Sequence, residues 1–140
     1  MRLFLPLKRA TLLIPSGPLN DQERKHLFIL LTDPQDDGTG IKYVLMVSAS
    51  TIKPYIRHDA TCILYEGDHP FIRQKSYLVY QKARIEQAEK VMHGVKKGLF
   101  IPQEAIDSTI FARICKGLEE SRLTAPDILT FYRKATQRIT

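Results

Sequence analysis

Residues 26–32, HLFILLT, form a nearly unbroken apolar run of strand length, and Asp33-Pro34 closes it. A turn-rich connection follows, Asp36-Asp37-Gly38-Thr39-Gly40, and a second apolar run, YVLMV at 43–47, returns from it. Two such runs joined through a glycine-containing turn read as a β-hairpin. The pattern repeats on either side. Upstream, TLLI at 11–14 stops at Pro15-Ser16-Gly17-Pro18, a strong loop signal. Downstream, residues 61–65 and 77–85 read as a fourth and a fifth strand. Several short strands punctuated by turns point to a small barrel or sandwich, not to alternating α/β layers.

Beyond residue 85 the period changes. Ile106, Ile110, Phe111, Ile114 and Leu118 share one helical stripe, with Pro102 and Glu104 suited to its first turn. Thr124-Ala125-Pro126-Asp127 announces a second helix as a capping pattern, with a stripe of Ile128, Tyr132, Ala135 and Ile139. The expectation is therefore mainly β with C-terminal α-helices, a single domain over 1–140. Residues 1–100 form the barrel and 101–140 the helical tail.

At 140 residues, with 44% apolar and 26% charged, the chain can bury a core without disulfides or metal. Cys62 and Cys115 each lie in an apolar run and read as buried, reduced thiols. No stretch has the length of a membrane span and no secretory leader is recognisable, so a cytoplasmic location and no membrane partner are expected. The net charge of +6 favours an anionic partner. From 69 to 98 there are seven Lys or Arg against Glu86 and Glu89, so this segment holds five of the six excess charges.

Within that segment, EGDHPFIRQKSYLVYQKARI at 66–85 interleaves cations with rings. Charge for phosphates and π-faces for bases are what a single-stranded nucleic acid needs. Arg73, Lys75, Tyr77, Lys82 and Arg84, with Lys25 upstream, are the candidate RNA-binding residues. His69 precedes Pro70, which restrains it to an extended conformation, and histidine is the natural proton-transfer group near neutrality.

Other chemistries find less support. His58, Asp59, Cys62, Asp68 and His69 are close in sequence but lack the spacing of a zinc site. No G-x-S-x-G, P-loop or G-x-G-x-x-G is present, so no cofactor is expected. RNA transesterification needs a base, an acid and cations on the phosphorane, all of which side chains can supply without metal.

The order of elements also carries a resemblance. A basic residue pair leads into an apolar strand (Arg24-Lys25-His26-LFILL), a strand ends in hydroxyls (YVLMVSAST), and a later strand ends in a polar-basic run (SYLVYQKARI). This resembles the MazF/PemK-like toxins, whose SH3-like barrel is shared with CcdB. The GDHPFI…SYLVY block looks like a divergent sub-group related to them. The resemblance implies a small SH3-like β-barrel of about five strands followed by two helices. It implies a bacterial, cytoplasmic, dimeric, metal-free endoribonuclease of a toxin–antitoxin system, with single-stranded RNA as substrate and an acidic antitoxin protein as inhibitor. The family's catalytic arginine falls at His26 and its hydroxyl at Ser50, beside Thr51. The usual Arg-Pro is replaced by His26-Leu27. His26, His69 and Ser50 are thus the catalytic candidates. A non-catalytic nucleic-acid-binding or regulatory module, or a protein-interaction domain, on the same barrel is the alternative.

Overall fold

The computed structural model describes residues 3–16 and 24–137. Its eight strands form one antiparallel sheet: β1 (Thr11–Pro15), β2 (Lys25–Leu30), β3 (Gln35–Asp36), β4 (Lys42–Thr51), β5 (Ile63–Leu64), β6 (Ser76–Leu78), β7 (Arg84–Gln87) and β8 (Ile101–Gln103). Three helices accompany it: α1 (Ala88–Lys96), α2 (Ser108–Glu120) and α3 (Pro126–Thr136). The chain is mainly β, with two helices near its C-terminal end.

The hairpin read from 26–47 is the centre of the sheet. β2 pairs with β4, placing Phe28 opposite Ser48 and Leu30 opposite Met46. β4 is long enough to have different partners along one edge, β7 beside its first half and β6 beside its last residues. Both faces of this centre are covered. Leu27, Ile29, Leu45, Val47 and Ala49 pack with Ile114 and Leu118 of α2 and with Ile128 and Tyr132 of α3. Phe28, Leu30, Val44 and Met46 pack with Leu12 and Ile14 of β1 and with Ala88 and Val91 of α1. Strands buried on both faces lose polar alternation, which is why HLFILL and YVLMV read as continuous apolar runs.

Several sequence boundaries move. Residues 77–85 are not one strand: β6 ends at Leu78, a 3₁₀ turn covers Tyr80–Lys82, and β7 begins at Arg84. The Tyr80 hydroxyl donates to the Ile114 carbonyl at 2.7 Å, anchoring this break against α2. Gly117 leaves room for that ring, since a Cβ there would overlap the Tyr80 hydroxyl. The division at residue 100 also fails, because Ile101–Gln103 is a strand paired with β1 and Pro102 lies within it. The first cap of α2 is Asp107, which accepts from the Thr109 and Ile110 amides. Thr124 does not cap α3; its hydroxyl donates to Leu118 O at the end of α2, and α3 starts with Pro126 at its first turn. The Gly17-Pro18 part of the first loop and Ile139 lie outside the described residues.

Candidate functional site

The even-numbered residues of β2 and β4 face α1 through the middle of the sheet, but the same face turns polar toward one end. There the apolar Leu30, Val44 and Met46 give way to His26, Ser48 and Ser50. Ile14 pairs with His26 across β1 and β2, and Ser50 pairs with Tyr77 across β4 and β6. His26, Phe28, Ser48, Ser50 and Tyr77 line one cavity of about 560 Å³, which Ser16, Arg57, His58, Asp59, Lys82 and Arg84 complete.

His26 is half-buried there, and Ser16 Oγ lies 2.5 Å from its Nδ1. Ser16 Oγ also donates to the Ile14 carbonyl at 3.3 Å. With its hydrogen so used, that oxygen can accept from Nδ1–H, the tautomer that leaves a lone pair on Nε2. Burial, reinforced by Arg24, Lys82 and Lys53, lowers the His26 pKa from 6.5. The ring is therefore neutral at neutral pH, a base surrounded by cations.

Arg84 stacks its guanidinium on Phe28, 5.0 Å from the ring centre. Its Nε is shielded from solvent and has no hydrogen-bond partner among the described residues; the nearest carboxylate oxygen, of Glu86, is 3.7 Å away. Another part of the wall, Arg57 to Asp59, comes from the loop between β4 and β5. Burial would raise the Asp59 pKa, but hydrogen bonds from Ser121 and Thr61 hold it low, and the 2.6 Å Ser121 bond ties the loop to the end of α2. His58 lies against Tyr77 with ring centres 5.3 Å apart.

The sequence candidates divide. His26, Ser50, Tyr77, Lys82 and Arg84 meet in this cavity. Lys25 and Arg73 line a second cavity of about 620 Å³ with Arg24, Thr51 and Gln74, and His26 borders both. Lys75 holds its ammonium 5.8 Å from the Tyr65 ring. Lys90 and Lys96 lie on α1. Cations that are near in sequence are thus spread over different parts of the surface, because the chain passes through β6, the 3₁₀ turn, β7 and α1 between them.

His69 is corrected by its surroundings. It is 2% exposed and belongs to neither cavity. The Phe71 amide donates to its Nδ1 at 3.0 Å, which places the ring hydrogen on Nε2. Nε2 donates to Glu104 O at 2.7 Å, with Thr11 Oγ1 at 3.2 Å. Nδ1 closes the turn at 66–72 on itself, and Nε2 ties that turn to Thr11 of β1 and to Glu104, which follows β8. His69 is a structural histidine, and His-Pro marked a buried corner.

Arg57 was not among the sequence candidates and His58 was weighed only as a metal ligand, although both line the cavity. Their sequence neighbourhood is a turn after Pro54, and nothing local says that their loop folds over Tyr77. Cys62 and Cys115 are free and buried, and burial pushes both thiols up, so neither is a reactive nucleophile. Among the described residues no helix is long and apolar enough to cross a membrane. No family model, curated protein or solved structure matches this chain.

Proposed function

We propose that the protein is a metal-independent endoribonuclease of the MazF/PemK-like type, acting on single-stranded RNA in the His26 cavity. One observation carries this reading. The two positions that the resemblance marks, His26 and Ser50, come from different strands yet line the same cation-walled cavity. On the same reading the sheet around β4 closes as an SH3-like barrel, two copies pair, and an acidic antitoxin covers the basic mouth.

In the proposed reaction, the 2′-hydroxyl of the substrate attacks the adjacent phosphorus and gives its proton to His26 Nε2. The P–O5′ bond breaks, and the 5′-oxygen takes a proton from His58. The products are a 2′,3′-cyclic phosphate and a 5′-hydroxyl. Arg57, Lys82 and Arg84 supply positive charge where the phosphorane gathers negative charge. Ser16 keeps His26 in the required tautomer, and Ser50 is a hydroxyl donor toward the phosphate.

Purified protein in EDTA is expected to cut a long single-stranded RNA and leave cyclic phosphate ends. A 2′-deoxy nucleotide at the cut should block the reaction. His26 must lose its proton before it can act, so the rate should rise with pH along a limb centred below 6.5. No limb, or one centred above that value, would remove His26 as the base. Salt-sensitive binding without cleavage would favour the non-catalytic module, and absence of binding the protein-interaction domain.

A further inference from the structure

Tyr55 stands wholly in solvent, at 105% of its reference exposure, with Ile56 beside it at 61%. Its φ is 70°, in the left-handed region that side-chain-bearing residues avoid. Pro54 precedes it, and the Ile56 amide donates to Lys53 O at 3.4 Å, closing a four-residue turn. Tyr55 is the third residue of that turn, the place where a positive φ calls for glycine. Neither packing nor turn chemistry accounts for a tyrosine here. Strain that persists at one exposed residue points to a use for its side chain.

The turn is also fixed in place. Ile52 donates its amide to Lys75 O at 3.0 Å on one side, and Asp59 is bonded to Thr61 and Ser121 on the other. Lys53, Arg57 and His58 flank the ring in sequence, and the last two line the His26 cavity. A π-face on a fixed turn, two residues along the chain from Lys53 and from the cavity-lining Arg57, suits an unpaired base whose phosphate the cavity holds. In a duplex the bases are stacked inside and offer no face to such a ring.

We infer that Tyr55 is the stacking platform for an unpaired base of a strand whose phosphate lies in the His26 cavity. The inference rests on the functional reading above and adds to it a side chain outside the cavity that holds an unpaired base. The test compares wild type, Tyr55→Gly and Tyr55→Trp for binding to a short 2′-O-methyl oligouridylate, to linear inorganic polyphosphate and to phosphatidylserine vesicles. Glycine removes the ring and relieves the positive φ, so its melting temperature should not fall. It should weaken oligonucleotide binding roughly 5- to 100-fold, leave polyphosphate binding unchanged, and be matched by no such loss in the tryptophan variant. Equal oligonucleotide affinity for Tyr55→Gly and wild type would overturn the platform while leaving the functional reading intact. So would a parallel loss on polyphosphate, a fall in melting temperature, or an effect confined to vesicles, which would assign the turn to a membrane surface. A wild-type protein that binds neither oligonucleotide nor polyphosphate would defeat the functional reading itself, and the platform with it.

Discussion

Replacing His26 with glutamine is expected to lower the rate of RNA cleavage by about 10²–10⁴-fold, the usual worth of a positioned acid–base group. Affinity for a non-cleavable RNA should change by no more than about twofold, because the ring is neutral near pH 7 and contributes no charge to phosphate binding. Stability should show a second signature. The folded-state pKa of His26 lies below 6.5, so between the two values the unfolded chain takes up a proton that the folded chain refuses. Wild type therefore loses stability as pH falls below about 6.5, and the His26 contribution to that slope should vanish in His26→Gln. Single-turnover rates and melting curves across pH 5–8, at roughly half-unit intervals, check both. Full activity in His26→Gln would show that the cavity has another base.

His69→Ala is expected to do the opposite. Removing the ring leaves the Phe71 amide without its acceptor, takes one donor from Glu104 O, which keeps its bond from Thr11 Oγ1, and opens a void beneath the turn. Buried polar groups left unsatisfied cost about 1–3 kcal/mol each before relaxation. With partial rehydration the total should be about 2–4 kcal/mol, a fall in melting temperature of roughly 6–15 °C for a chain of this size. Cleavage per folded molecule should stay within about twofold. Thermal denaturation alongside activity measured well below the transition separates the two effects. A large loss of cleavage with an unchanged melting temperature would restore His69 to the site.

The contrast between these histidines shows where the sequence was readable. The β2–β4 hairpin was legible because both of its faces are buried, leaving uninterrupted apolar runs with turn residues between them. His26 and Ser50 were reachable once those runs were aligned, since antiparallel register puts the end of one strand beside the start of the other. His69 was misread because His-Pro reports local backbone restraint and nothing about burial. Its partners, Thr11 and Glu104, are 58 and 35 residues away. The helix α1 went unread because only Ala88, Val91 and Gly94 of its nine residues are buried, too sparse a stripe to stand out among lysines. Arg57 and His58 reach the cavity through the Asp59–Ser121 bond, another contact across 62 residues of sequence. Strands declare themselves locally, whereas the loops that finish a site do so only through distant contacts.

The chain has four histidines, and they form a built-in set of reporters. His26 and His58 line the cavity, His69 is buried between β1 and the 66–72 turn, and His93 is exposed on α1. The imidazole signals followed by NMR during titration with a 2′-O-methyl single-stranded RNA locate the ligand without relying on turnover. The His26 and His58 signals should shift together and saturate with the ligand, while those of His69 and His93 stay still. Movement of His69 or His93 with His26 and His58 unchanged would place the nucleic acid elsewhere and contradict the assignment of this cavity as the RNA site.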